Sequence, residues 1–446
     1  MTDTNVSKCG FIETEVGEIN FFSEGHTFTF FKKARKPFEI ITVKNSIDGF
    51  LIGSTSIGHK IAIYTNDGIT ITGGLSIINT FAYVVSKGNY LPSKEYEYDG
   101  IEFVGGTLNH LFLRKAFDFE WNPDGSHTIT PIRNYKDYEF NVDGITFNMS
   151  IGNTISIRHG ENGIEVRDTD VQLSFTFSKK QTLANLLKIV TVIKKVLSFM
   201  TFRENVGFED INLLLRDKEI QRAITVANLF LKQDDELETK RYGECITFDD
   251  LGDCIKNLII LFYENNENKP SYMLGFIPEN SKKVGSISNT DVKEICSALE
   301  CELKFIKDIN GDNNKDLNDL IDDVKNIVKQ HRKGQNKLSD KAYSMIFGSI
   351  KNWSMSASEK ITLLYKRYEK ALLCLNDSEI NIGEAEINQF VKYRNYITHG
   401  SYRVLNMEVA ITAYVLSGLV YCCILSRIGL EQQKILELCH YRKIIH

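Results

Sequence analysis

The chain has 446 residues with a formal net charge of −5, and 42% of its residues are hydrophobic and 25% charged. That balance is ordinary for a globular protein and excludes collagen-like, coiled-coil and disordered classes. The mildly acidic total supplies no overall basic field for nucleic acid or anionic lipid, so any such contact must come from a local patch.

Residues 1 to about 180 read as all-β. Asp-Gly pairs at Asp48-Gly49, Asp67-Gly68, Asp99-Gly100, Asp124-Gly125 and Asp143-Gly144, followed by Asn162-Gly163, offer the positive φ that hairpin turns need. Between them run alternating segments: His26–Phe31, Lys60–Thr65, Ile69–Thr72, Tyr96–Val104, Thr154–His159 and Val171–Phe177. Short strands at this spacing predict an antiparallel sandwich or barrel. The period then changes to helical in Leu183–Phe202, where Leu186, Leu187, Val190, Ile193, Val196, Leu197 and Met200 repeat at three and four. A second helix is predicted at Cys254–Tyr263.

The stretch Asn265–Gly285 holds the last two prolines, Pro270 and Pro278, and marks the expected boundary. After Pro278 the chain has no proline, as a helical bundle requires. Helices are predicted at about 289–307, 314–331, 338–349, 357–375, 383–399, 404–427 and 430–443. The expected class is therefore α+β, with a β-rich domain with accessory helices over 1–270 and an all-α bundle over 271–446.

Three features bear on location. The nine cysteines are odd in number and form no Cys-x-x-Cys pair, so neither a zinc site nor a disulfide framework is expected, and reduced thiols fit a cytoplasmic protein. The first residues contain no apolar stretch of a secretory leader. Val409–Ser426 is free of charge and sits at the lower edge of a membrane span. Its Thr412, Tyr414, Ser417, Gly418, Tyr421 and Ser426, and the absence of a basic flank before it, point to the central helix of a soluble bundle, with no membrane contact.

The sharpest chemical pattern is Phe390–Gly400, FVKYRNYITHG. Ile387, Phe390, Val391, Arg394 and Ile397 fall on one stripe, so Arg394 stands where an apolar residue is expected. Asn395 and His399 lie one turn apart on an adjacent strip, and Gly400 offers a helix stop. His399 is then a last-turn histidine, where the helix dipole favours imidazolium. Imidazole can move the 2′-OH or leaving-group proton of RNA near neutral pH, and Arg394 and Asn395 can stabilise the phosphoryl oxygens. No metal is needed. The plainer alternative is a buried arginine paired with a carboxylate, next to a capping histidine.

Arg394-Asn395-x-x-x-His399-Gly400, near the end of one helix and followed by a long apolar helix, resembles the HEPN ribonuclease superfamily. The β-rich region running into FTFSKKQTLANLLKIVTVIKKVLSFMTF is similar to ApeA-like bacterial anti-phage proteins, in which an N-terminal domain precedes a HEPN domain. The resemblance implies a metal-independent endoribonuclease that leaves a 2′,3′-cyclic phosphate, with Arg394, Asn395 and His399 catalytic and no cofactor. It also implies an RNA substrate such as transfer RNA, a homodimer through the helical domain that unites two copies of His399, and a phage-derived trigger. Some HEPN domains only bind, so a non-catalytic dimerisation protein with a ligand-sensing β domain is the alternative.

Three weaker features remain. Arg403, just past Gly400, is a candidate RNA contact. Asp308-x-Asn310-Gly311-Asp312 with Asp316 and Asp319 resembles an EF-hand loop. It departs at Asn313, Lys315 and Asp319 from the glycine, apolar residue and glutamate that loop needs, so a polar interhelical loop explains it better. The basic run His331–Lys337 reads as a solvated loop. No phosphate-binding glycine loop, His-Glu-x-x-His or Gly-x-Ser-x-Gly is present.

Overall fold

The computed structural model describes residues 8–33, 39–87, 96–112, 117–125, 127–132, 134–160, 163–217, 219, 222–234, 237, 243–264, 274–306, 309, 315–333, 338–351, 355–375, 380–400 and 404–442. The fold is α+β. It divides into two compact units, Met1–Tyr242 with Thr247–Glu264, and Gly243–Ile246 with Asn265–His446.

The first unit carries the strands β1 (Lys8–Ile12), β2 (Ile19–Glu24), β3 (Thr27–Phe31), β4 (Ile40–Val43), β5 (Phe50–Thr55), β6 (Lys60–Tyr64), β7 (Ile69–Thr72), β8 (Leu75–Asn79) and β9 (Ala82–Ser86). They are followed by β10 (Glu97–Val104), the hairpin β11 (Phe117–Trp121) and β12 (His127–Pro131), β13 (Tyr135–Val142), β14 (Ile145–Gly160) and β15 (Gly163–Thr182). After helix α1 (Leu183–Thr201) come β16 (Asp210–Arg216) and β17 (Ala223–Leu231), then helices α2 (Phe248–Leu251) and α3 (Cys254–Tyr263). Apart from the β11–β12 hairpin, the strands form one sheet in the order 13-14-15-10-16-17-9-6-5-1-2-3-8-7-4.

That sheet rolls. Four strands separate β9 from β3 in the order, yet the rings of Tyr83 and Phe28 meet edge-on at 5.4 Å. The inward residues Ile12, Phe21, Phe30, Leu51, Ile63 and Ile71 fill the enclosed space at 0% exposure. Each such side chain contributes about 1.5–3 kcal/mol through burial. The barrel-like expectation thus holds for β1–β9. The other end of the sheet is covered by α1 and α3, with Phe147 of β14 edge-on to Tyr263 at 5.7 Å. The Lys188 ammonium sits 3.7 Å above that same tyrosine ring.

Two sequence expectations need correction. β16 and β17 follow α1, beyond the segment read as all-β, and insert between β10 and β9. Both bury residues on two faces, so they lack the clean alternation that marks a strand. Asp99-Gly100 is not a turn: Gly100 lies inside β10, where an added Cβ would meet the carbonyl oxygen of Phe175 at 2.5 Å. At Asp143-Gly144 both residues have positive φ, 51° and 75°, and join β13 to β14 directly through the Val142–Ile145 pair.

The second unit holds α4 (Asn289–Leu303), α5 (Lys315–Lys333), α6 (Asp340–Lys351), α7 (Ala357–Leu375), α8 (Glu384–Thr398), α9 (Met407–Arg427) and α10 (Gln432–Tyr441). α5 and α6 pair around Ile321, Val328 and Ile350. α9 is the core helix, touching α4, α7, α8 and α10. It is long and apolar enough to cross a membrane by length and composition, and 78% of its most apolar window lies inside the protein. Leu416, Leu419, Val420, Tyr421, Ile424 and Leu425 are fully buried, as an apolar helix at a bundle's centre requires.

Candidate functional site

Local sequence fixes the helix that carries the pattern. The backbone N–H of Gly383 donates to Glu386 Oε2 at 2.8 Å and closes the start of α8. Ile387, Phe390, Tyr393 and Ile397 bury one face, and Tyr393 Oη donates to Asn289 Oδ1 of α4 at 2.9 Å. Gln389 Nε2 donates to Glu408 Oε2 of α9 at 3.3 Å. The helix is therefore held on both sides.

Arg394 sits at the edge of the buried face, its side chain 21% exposed, and turns toward α4. Its Nη2 donates to Glu300 Oε2 at 2.7 Å, and its Nη1 donates to Asn395 Oδ1 at 3.1 Å. Guanidinium is donor-only, so the amide oxygen of Asn395 must face it, leaving the Asn395 NH2 free to donate elsewhere. Behind the pair, Cys296 Sγ lies 4.0 Å from Glu300 Oε1. Burial, then the Glu300 carboxylate, push that thiol up to about 12, against the pull of Arg394, so Cys296 is inert at neutral pH.

His399 occupies the C-cap position, one residue past the last helical one, with φ −85° and ψ 16°. Its backbone N–H still donates to the carbonyl oxygen of Asn395 at 3.2 Å, and Gly400 follows at φ 81°. The imidazole is exposed and makes no hydrogen bond or ion pair among the described residues. Arg394 and Asn395 are thus brought into side-chain contact, whereas His399 joins them only through the backbone. The plainer alternative is met in one respect: Arg394 does pair with a carboxylate.

Sequence reasoning missed Glu300 and Asn289. Both lie about a hundred positions upstream on α4, and no spacing rule links them to Arg394 or Tyr393. Arg403 lies outside the described residues, as do Asp308, Asn310, Gly311 and Asp312. Asp316 and Asp319 are exposed on α5. Of the basic run, His331–Lys333 form the last turn of α5, where Arg332 pairs with Asp340 at 3.1 Å and stacks 4.3 Å from the Tyr343 ring. Residues 334–337 are outside the described set. Among the described residues no group of three or more His, Cys, Asp or Glu side chains could hold a metal ion.

Around the end of α8 lies exposed apolar surface. Met407 and Ile411, 74% and 37% exposed, fall one turn apart on one face of the start of α9, and Val404, 79% exposed, lies in the non-helical segment just before it. In comparisons with known proteins, the chain matches no family model, no curated protein and no solved structure.

Proposed function

We propose that the helical unit is a metal-independent HEPN-type endoribonuclease, in an ApeA-like anti-phage protein of the cytoplasm whose β-rich unit responds to a phage-derived trigger. The observation that carries this reading is the Arg394–Asn395 side-chain pair beside an exposed His399 at one helix end. In the reaction, neutral His399 takes the 2′-OH proton and the 2′-oxygen attacks phosphorus. The bond to the 5′-oxygen breaks, an imidazolium protonates that oxygen, and a 2′,3′-cyclic phosphate and a 5′-hydroxyl result. Arg394 and the Asn395 NH2 stabilise the phosphoryl charge. One imidazole cannot be base and acid at once, so a homodimer supplies the second copy of His399. The exposed apolar side chains of Met407 and Ile411 on α9, with Val404 just before it, are its contact surface.

One observation favours a second reading, a HEPN-like binding protein without catalysis. Arg394 already commits Nη2 to Glu300, as a structural ion pair does, and the His399 imidazole makes no contact with it. A single experiment separates the two. Wild-type protein and His399→Ala are incubated with total bacterial RNA, including transfer RNA, in EDTA, with and without lysate of phage-infected cells, and new 3′ ends are mapped. The nuclease reading expects wild-type-only cuts ending in 2′,3′-cyclic phosphate. Absence of such cuts under both conditions overturns it in favour of binding.

A further inference from the structure

Strand β4 ends the rolled sheet: it pairs with β7 on one side and, among the described residues, with no strand on the other. The backbone N–H of Gly73 donates to the carbonyl oxygen of Glu39 at 3.2 Å. Antiparallel alternation then turns the backbone polar groups of Glu39, Ile41 and Val43 toward β7, and those of Ile40 and Thr42 away from the sheet. No described residue takes up the N–H and C=O groups of Ile40 and Thr42. An unpaired edge of this kind, with Ile40 at 67% exposure, is a template for a further strand.

Beside that edge lies a groove of about 470 Å³, with residues 42–46 along one wall and residues 13–16 of the β1–β2 turn along the other. Its volume is within the range of about 300–1,000 Å³ typical of ligand sites. The turn is a fixed wall. The Gly17 N–H donates to the Thr14 carbonyl oxygen at 2.9 Å, Thr14 Oγ1 donates to the Gly17 carbonyl oxygen at 2.6 Å, and Lys32 Nζ donates to the Val16 carbonyl oxygen. Two carboxylates, Glu13 and Glu15, line the groove against one ammonium, Lys44. Both glutamates are exposed, and neither pairs with a cation among the described residues.

We propose that an extended basic peptide docks in this groove as an added strand on β4, its backbone bonded to Ile40 and Thr42 and its lysine or arginine side chains against Glu13 and Glu15. Main-chain bonds supply affinity for any extended chain, and the two carboxylates select for cationic side chains. The inference holds whether or not the helical unit cleaves RNA.

The test uses the full chain and a fluorescein-labelled peptide of alternating lysine and valine, with anisotropy reading the affinity. Wild type should bind it saturably, and should bind the peptide with glutamate in place of lysine roughly tenfold more weakly. Thr42→Pro removes the edge N–H at a position where an edge strand tolerates proline, and should weaken binding roughly tenfold. Proline can also displace β4 itself, so the fully N-methylated peptide tests the backbone bonds with the protein unchanged; it should likewise bind roughly tenfold more weakly. Glu13→Lys with Glu15→Lys should weaken binding of the lysine peptide roughly tenfold at low salt, and the difference should shrink as salt rises. Absence of saturable binding overturns the inference. So does equal affinity for the plain and N-methylated peptides, or for the lysine and glutamate peptides. Binding that survives both Thr42→Pro and the double glutamate substitution places the peptide elsewhere and overturns it as well.

Discussion

The Arg394 guanidinium donates to Glu300 Oε2 at 2.7 Å across the α8–α4 contact, so the most distinctive cation of the sequence pattern is oriented by a carboxylate 94 positions upstream. Nη1 turns to Asn395 at the same time, which fixes the plane of the group. On the proposed ribonuclease reading, Glu300 is a positioning residue rather than a catalytic one.

Removing it separates position from charge. With side chains 21% and 38% exposed, the pair is screened by solvent and its loss costs only about 0.5 kcal/mol. Glu300→Ala should leave melting within about 2 °C. It should lower kcat for RNA cleavage about tenfold with little change in KM, because Arg394 then samples other rotamers. Glu300→Gln, which keeps an acceptor, should recover most of the rate. An unchanged kcat in single-turnover cleavage by Glu300→Ala would remove the positioning role.

The exposed apolar side chains at and just before the start of α9 make a second prediction. Val404→Asp with Met407→Asp replaces two side chains that are 79% and 74% exposed, so the fold should change by less than about 0.5 kcal/mol. The carboxylate that replaces the Met407 side chain would stand in the first turn of α9, where the helix dipole favours negative charge. On the proposed reading, light scattering should report a dimer for wild type and a monomer for the double variant, and RNA cleavage should be lost with the dimer. A dimer that survives the double substitution places the interface elsewhere.

The helical unit was legible because each of its helices repeats apolar residues at three and four over ten or more positions, and no proline interrupts them. The β-rich unit was legible in class but not in order. β16 reads DINLLLR and β17 AITVANLFL, two-sided runs that periodicity cannot tell from short buried helices. The site was legible only where it is local. Arg394, Asn395 and His399 share one helix end, so spacing finds them, whereas Glu300 and Asn289 reach the site through packing of α4. Even the histidine shows a limit: expected in the last turn, it sits one step beyond, because Gly400 takes the left-handed conformation directly after it.

In the rolled sheet, Gly10 of β1 is squeezed between β5 and β2. An added Cβ would collide with the Ser54 carbonyl oxygen and come within 2.8 Å of Thr55 Cα and 2.9 Å of the Phe21 ring. Gly10→Ala should therefore cost about 1–3 kcal/mol by forcing two paired strands apart. Cys9→Ala, at the exposed neighbouring position, should be near neutral. Chemical denaturation of the two variants checks the contrast, and equal midpoints would contradict the close approach of β1 and β5.

Among the described residues of the helical unit, the deepest carboxylate is Glu302, 1% exposed and paired with Arg427 Nη1 of α9 at 2.8 Å. Arg427 also stacks 3.6 Å over Phe305, which holds it in place. Desolvation raises the Glu302 carboxyl above its ordinary 4.5, and the arginine opposes that rise without cancelling it. The folded state thus keeps this proton at pH values where the unfolded state has released it. Stability from this group is complete below 4.5 and declines as pH rises through the window up to the raised value. Arg427→Ala leaves the carboxylate buried and uncompensated, which should cost about 3–5 kcal/mol at about pH 7.5. At about pH 4.5 the protonated acid needs no cation, so the same substitution should cost much less there. Denaturation midpoints of wild type, Arg427→Ala and the charge-free Glu302→Gln/Arg427→Ala pair at the two pH values test this. A penalty for Arg427→Ala independent of pH would mean that Arg427 acts through its packing on Phe305 alone.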